Sequence, residues 1–452
     1  MNKVIRVTRS IFVLISAVLS LVCLAGTCRA QERLTVDRAV QIALENSLQR
    51  RMAAKDVQIA DEGLARARAE FGPTVTLEGG LYRYDDPPSL VQTNQGLANL
   101  NNALSGITSG QVPEVSLPSD SRTYYGGGIK ITQPLYTGNK LTATRRLARA
   151  NLENARKNLD ASDNDLALSA RKAFYTVILS RQMAGAMDEA VENMTRHVQE
   201  ATAYHDQKIV PKLDLLRAEE KLADLTQQQL YAHNNVDLAQ TSLNYVLGVD
   251  MDTRYTCDDA PRTLPMPRDL GACIETGLKN RPEIGAVDAR IRMAKAQITI
   301  AQSDLLPTLA LVGEAHHYEP ENEDPSAQIG IVAGIDLFDS GRTSHKKAQA
   351  TRELEKARIA KNQFFRGIRL AVEKAYHDAQ AAQKSIDVAQ KSLDTAQEAL
   401  NAARTRYRVG LSTSLERLDA EVSLTRAKTN YIHASSMYNI AIAELERAMG
   451  KE

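Results

Sequence analysis

Long apolar runs are scarce in this 452-residue sequence, and with 25% charged residues that scarcity excludes a bundle of transmembrane helices. One candidate remains, the largely apolar stretch of 15 residues Ile11–Ala25, preceded by Lys3, Arg6 and Arg9 and followed by GTCRA. A spanning helix needs about 20 apolar residues. The shorter run, with its basic front and small-residue end, reads as a secretory signal peptide over residues 1–30. An excess of one charge sign is also lacking. Removing Lys3, Arg6, Arg9 and Arg29 with the leader moves the formal net charge from +1 to −3, which gives no hint of a nucleic-acid partner. Cysteine is rare. Of four, Cys23 and Cys28 leave with the leader. A lipid-modified Cys28 is an alternative, although AGTC lacks the leucine and small residue usual before such a cysteine. The mature chain keeps Cys257 and Cys273, which in an oxidising compartment either close a 15-residue loop worth about 3 kcal/mol or stand as two unpaired thiols. No phosphate loop, nucleophile elbow or paired-cysteine metal motif is present, so we expect neither enzymatic chemistry nor a cofactor.

What the chain does contain is a duplication. ALENS at Ala43 resembles GLKNR at Gly277, and FGPTVTL at Phe71 resembles LLPTLAL at Leu305, both at an offset of 234. Further on the offset is 202: PLYTGNK aligns with DLFDSGR, KAFY with KAYH, RAE with DAE, and YVLG with RAMG. The 32 extra residues of the first copy fall between Tyr84 and Thr123, a polar stretch rich in Pro, Gly, Ser and Asn that reads as a long exposed loop, 85–122. The expected organisation is a first repeat over 31–250, a linker over 251–268 and a second repeat over 269–452.

Each repeat reads helix, strand, loop, strand, very long helix, corner, helix. Residues 139–207 and 342–407 hold no proline and almost no glycine, enough for helices of about 100 Å at 1.5 Å per residue. A seam runs from Val372 through Ala375, Ala379, Ala382, Ile386, Ala389, Leu393, Ala396, Leu400 and Ala403 to Tyr407 in alternating steps of three and four. Its first-repeat equivalents run from Ala170 to His205. That is heptad spacing, and its many alanines allow close helix approach, as in a wall of paired helices. A solitary dimeric coiled-coil rod would also satisfy these helices taken alone. The strands argue against it. Residues 74–84, 123–133, 308–318 and 327–337 are 10 or 11 residues long and partly alternating, the length of a tilted strand crossing an outer membrane. Tyr82, Tyr84, Tyr124, Tyr125 and Tyr318 lie near the loop-side ends, where an aromatic girdle would sit. Four strands cannot close a barrel, and an open edge cannot face lipid. The chain must therefore oligomerise; three copies supply twelve strands, although counting alone does not choose three over four.

The residues also carry a family resemblance. LTVDRAVQIALENS resembles the opening of the TolC-like outer-membrane efflux proteins. ARAEFGPTVTL and AQSDLLPTLAL resemble that family's helix end and strand start, QPLYTGNK and IDLFDSGR its strand-to-helix junctions, and KLDLLRAE and VGLSTSLERLDAE its periplasmic corners. The resemblance implies a homotrimer in the outer membrane lipid, a twelve-stranded barrel continued by an α-helical tunnel into the periplasm. Such a duct serves tripartite efflux or type I secretion, docking a periplasmic adaptor and an inner-membrane transporter, and is not an enzyme. The alternative reading is a non-channel exported coiled-coil adaptor or scaffold; an adaptor would be expected to carry a β-rich lipoyl-like block, which is absent here.

VGLSTSLERLD, Val409–Asp419, is where the second long helix must reverse. Gly410 can take a positive φ cheaply, Ser412 or Thr413 can cap the next helix, and Glu416 suits its first turn. A plain helix corner accounts for these features on its own. The resemblance adds an exposed tip for an adaptor, assigned to Val409, Gly410, Leu411 and Ser412. Glu416 and Asp419 share a helix face and match acidic positions at the family's tunnel constriction; six carboxylates from three copies would favour cations and repel anions. Tyr407 matches a tyrosine that helps hold the gate closed, and Asp214 its hydrogen-bond partner, whereas the arginine often found near Ser412 is missing. The first corner departs from the pattern, with Lys208 at the position of Gly410, His205 at that of Tyr407 and Pro211 opening the following helix, so equivalent docking at the two corners is not expected. His316 and His317 are adjacent in a strand and point to opposite faces, which opposes a shared metal. The Arg- and Lys-rich helix faces read as solvated surface.

Overall fold

The computed structural model describes residues 33–84, 122–257, 265–267, 269–319 and 326–451. The leader at 1–30 with Cys28, nearly all of the loop at 85–122 and part of the linker at 251–268 lie outside the described residues. In chain order the elements are β1 (Arg33–Leu34), α1 (Val36–Asn46), α2 (Leu48–Ala69), β2 (Thr74–Tyr84), β3 (Arg122–Thr137), α3 (Lys140–Asp206) and α4 (Lys212–Leu247), then β4 (Thr256–Cys257), α5 (Leu270–Asn280), α6 (Pro282–Ser303), β5 (Thr308–Glu319), β6 (Ser326–Gly334), α7 (Arg342–Arg408) and α8 (Ser414–Ala448). The long helices α3 and α7 have 67 residues each. The described residues divide into two compact units, those falling within 33–57, 155–286 and 360–451 forming one and those within 58–154 and 287–359 the other. Among the described residues, no helix is long and apolar enough to cross a membrane.

The second unit contains a four-stranded antiparallel sheet in the order β2-β3-β5-β6. Residues directly opposite in an antiparallel pair share a face. One face carries the rows Val75, Ile131, Gly313, Ile329 and Leu77, Ile129, Ala315, Ala327. Its large side chains are exposed, Leu77 to 80% and Ile329 to 77%. The adjacent row, Thr76, Lys130, Glu314, Gln328, lies on the other face and is polar, with Lys130 and Glu314 joined by a 2.5 Å ion pair and Gln328 donating to Glu314 at 3.0 Å. The Glu314 carboxylate thus accepts from both the Lys130 ammonium and the Gln328 amide. Pro134, which has no N–H to give, falls at the irregularity between Pro134 and Tyr136 in the β3–β5 ladder. β3 runs on to Thr137, four residues beyond the end expected from sequence, and β6 stops at Gly334. Tyr125 is exposed on β3. The side chains of Tyr82, Tyr84, Tyr124 and Tyr318 are outside the described set.

Both strand-to-helix junctions use two consecutive left-handed residues, Gly138 with Asn139 and Ser340 with Gly341, at φ of 59°, 68°, 53° and 83°. At Gly138 a side chain is also excluded sterically, because a Cβ would lie 2.7 Å from Ser303 O and from Leu306 Cβ. Asp339 then caps α7, its carboxylate accepting from the Gly341 and Thr343 amides at 2.9 and 2.8 Å.

In the first unit each repeat builds its own apolar cluster. One contains Leu166, Ala170, Phe174, Val177, Leu243 and Leu247; the other contains Ile368, Val372, Tyr376, Ala379, Leu445 and Met449, each 202 residues on. Every seam position of α3 and α7 expected from the heptad pattern is buried or half-buried. Of the two readings of the cysteines, the structure selects the one without a disulfide. No disulfide joins Cys257 and Cys273: Cys257 is buried in the first cluster and Cys273 in the second, so each sulfur is covered by a different core.

Candidate functional site

The corners joining α3 to α4 and α7 to α8 are the same turn made from different residues. At the second, Gly410 N–H donates to Tyr407 O at 3.0 Å and Leu411 N–H to Arg406 O at 2.9 Å, while Gly410 adopts φ 77°. At the first, Lys208 N–H donates to His205 O and Ile209 N–H to Tyr204 O, both at 2.8 Å, and Lys208 adopts φ 58°. This is the Schellman closure, which requires a left-handed residue just past the helix end. A lysine there costs about 1 kcal/mol or more that glycine avoids. Of the two capping candidates at the second corner, Thr413 takes the role: its Oγ1 accepts from Glu416 N–H at 3.3 Å. Ser412 instead donates its hydroxyl to Glu416 Oε2 at 2.6 Å. Glu416 and Asp419 are both exposed.

The tips are apolar and uncovered. Val409 and Leu411 are 62% and 71% exposed, Leu415 is half exposed, and at the first corner Ile209 and Leu213 occupy the positions equivalent to Leu411 and Leu415 and are also exposed.

Beneath the second tip lies a charged cluster that sequence reasoning did not identify. Arg417, in the first turn of α8 and only 6% exposed, pairs with Glu200 of α3 through Nη1 and with Glu421, one turn on, at 3.3 Å. Its guanidinium also lies 5.3 Å from the Tyr407 ring centroid. Glu421 is buried and takes a second cation, Arg404 of α7, at 3.5 Å; Arg404 donates as well to Asn193 of α3 at 3.3 Å. His197 of α3 is fully buried, 3.3 Å from Ser414 Oγ and edge-on to Tyr407 with ring centroids 5.7 Å apart. Two arginines balance two glutamates, so the cluster is neutral when His197 is neutral.

Burial sets the electrostatics here. It strips the imidazolium of solvation, and Arg417 and Arg404 repel the added charge against the pull of Glu200, which together bring the His197 pKa down to about 4. Burial raises Glu421 above the usual carboxylate range despite the opposing Arg417 and Arg404. Burial likewise raises the Tyr407 phenol. Four polar atoms of this cluster, His197 Nδ1, Arg404 Nε, Tyr407 Oη and Glu421 Oε2, are buried without a hydrogen-bond partner. Each such atom costs about 1–3 kcal/mol.

Tyr407 therefore does not make the hydrogen bond to Asp214 expected from the resemblance. Its ring lies against His197, Tyr204 and Arg417, its hydroxyl is buried without a partner, and Asp214, half-buried in the first turn of α4, acts on it only through space. The cluster did leave one trace in the sequence. Arg417 is a cation in the first turn of a helix, where the dipole disfavours it, and only the following Glu421 at four residues hints at compensation. Glu200 is 217 residues away and gives no local sign. Among the described residues, no group of three or more His, Cys, Asp or Glu could hold a metal ion.

Residues 39–249 and 273–451 match the sequence profile of the family described as outer membrane efflux protein. The outer membrane efflux protein BepC of Brucella suis is 24% identical over 96% of this chain and 89% of its own length. The outer membrane protein TolC of Escherichia coli is 20% identical over 88% of this chain and 79% of its own. Among solved structures, the outer membrane protein VceC of Vibrio cholerae superposes with a TM-score of 0.75 at 17% identity, covering 92% of this chain and 96% of that one.

Proposed function

Because this chain belongs to the outer membrane efflux protein family, we propose that it is the outer-membrane exit duct of a tripartite efflux or type I secretion system. The observation that carries the reading is the four-stranded sheet. One face is apolar and exposed, the other holds the Lys130–Glu314 pair, and the outer edges of β2 and β6 pair with no further strand among the described residues. Such a sheet suits lipid on one side and water on the other, but its free edges do not. Three copies joined edge to edge close twelve strands, and the long helices of each copy continue the wall into the periplasm.

In this proposal residues 1–30 are the export signal, the chain is divided into repeats 31–250 and 269–452, and loop 85–122 faces outward. Val409, Gly410, Leu411 and Ser412 form a docking tip for a periplasmic adaptor that links the duct to an inner-membrane transporter. The exposed Ile209 and Leu213 support a second, non-equivalent contact at the first corner. Glu416 and Asp419 line the constriction, while Asp214 and Tyr407 belong to the gate.

The test is purification from membranes in detergent followed by reconstitution in planar lipid bilayers. The expected species is a heat-modifiable trimer that inserts and conducts ions. A monodisperse monomer stable without detergent, with no conductance, would refute the duct and favour an exported coiled-coil adaptor or scaffold.

A further inference from the structure

We propose that Arg417 is the positioning residue of a latch that pins helix α8 to α3 and α7 just above the second corner. This deepens the exit-duct reading and rests on it: the corner end is where such a duct would open. It also replaces the expected Tyr407–Asp214 bond as the holding contact.

The geometry favours a pin over an ordinary surface ion pair. Three elements meet on one guanidinium: Glu200 from α3, Tyr407 from α7 and Glu421 from α8 itself. A planar guanidinium can serve a carboxylate on each edge and an aromatic ring on its face at once, which a lysine ammonium cannot. Arg404 ties α7 to the same Glu421 and, through Asn193, to α3. Displacing α8 from α3 must break the Arg417–Glu200 pair, which is the cluster's direct charged link between those helices. What remains would be a buried arginine with half its counter-charge.

The same cluster is poised to let go. His197 Nδ1, Arg404 Nε, Tyr407 Oη and Glu421 Oε2 are each buried without a partner, a disadvantage that water entering on separation would relieve. The charges favour the packed arrangement and the orphaned atoms favour the separated one. Opposed terms of that kind give a two-state element whose balance a docking partner can tip.

The experiment records single channels in planar bilayers from the wild type, Arg417→Met, Arg417→Lys and Glu200→Gln. Each preparation is checked for trimer content on unheated gels. Arg417→Met should raise conductance or open probability several-fold, and Glu200→Gln should do so to a smaller degree. Arg417→Lys should fall between wild type and Arg417→Met, because it keeps charge but not the planar fork. The Arg417→Met/Glu200→Gln double variant should exceed Arg417→Met little, since both changes remove one contact. Glu200 has a half-exposed side chain, so Glu200→Gln reads out the latch even if Arg417→Met fails to assemble. A conducting wild type matched by unchanged conductance and open probability in assembled variants overturns the latch and leaves the duct standing. A trimer that never conducts overturns the duct reading, and the latch with it.

Discussion

Acid should weaken the second corner through one imidazole. His197 titrates near pH 4 in the folded chain against 6.5 for an ordinary histidine. Its folded pKa is depressed, so between those values the unfolded chain binds more protons than the folded one. Stability contributed by the neutral ring is fully present above pH 6.5 and is lost as pH falls toward 4. At about 1.4 kcal/mol per unit, the shift amounts to about 3 kcal/mol. The groups facing the ring are Ser414 and Arg417 from α8, Arg404 and Tyr407 from α7, and Glu200 from its own helix. Asp214 of α4 and Tyr204 of α3 stand beyond Tyr407. Glu421 works with opposite sign, since its raised pKa makes it less costly once protonated. The comparison must therefore isolate His197. Urea midpoints of the wild type and His197→Gln, measured from pH 7 to pH 4 in detergent, should diverge, with the wild type losing up to about 3 kcal/mol more across that window. Parallel curves would refute the reasoning and place the acid response elsewhere.

Three other outcomes are expected. Replacing Glu416 and Asp419 together by Ala should shift the reversal potential in a salt gradient toward that of an unselective pore; unchanged cation preference removes both from the constriction. Gly410→Ala should destabilise by about 1 kcal/mol through backbone strain alone, because nothing lies within 4 Å of the added Cβ, whereas Lys208→Gly should stabilise by about 0.5 kcal/mol, as read from thermal midpoints. Cys257 and Cys273 should resist a maleimide in the folded protein and both react after denaturation without reductant, since both are buried and no disulfide joins them; a pair that labels only after reduction would restore the disulfide.

Periodicity made the helical part of this chain readable. Alternating steps of three and four from Val372 to Tyr407 fall on residues that are buried or half-buried, because a heptad seam is a local property of a helix and survives whatever it packs against. The constant offset carried equally far, placing Leu166, Ala170 and Val177 in one core as it placed Ile368, Val372 and Ala379 in the other. Pairing across distance was harder to read. Nothing in the sequence around Arg417 or Glu200 pairs the two, because their contact depends on how α8 lies against α3. The same limit affected Tyr407 and Asp214: each could be placed by analogy with the family, but a seam position buried among His197, Tyr204 and Arg417 leaves the hydroxyl without Asp214. The cysteines stayed undecided at the level of sequence for a related reason, since loop length does not report which core receives each sulfur.

The two corners separate what turning requires from what the second corner adds. Both close with the same pair of backbone hydrogen bonds and a left-handed residue, and both expose an apolar tip. Shifting by 202, Arg417 corresponds to Leu215, Arg404 to Thr202, Tyr407 to His205 and Ser414 to Lys212. Of the charged contacts only the acid of Glu421 has a like residue, Glu219, and that one is exposed. A turn that forms without the cluster cannot be the reason the cluster exists. Four buried atoms without partners are also a poor way to gain stability, because an apolar filling of similar volume would hold the helices with less cost. A charged, incompletely satisfied arrangement makes physical sense where helices must be held and also released. In the proposed duct that places the movable element in α8, latched through Arg417 to Glu200 of α3 and Tyr407 of α7.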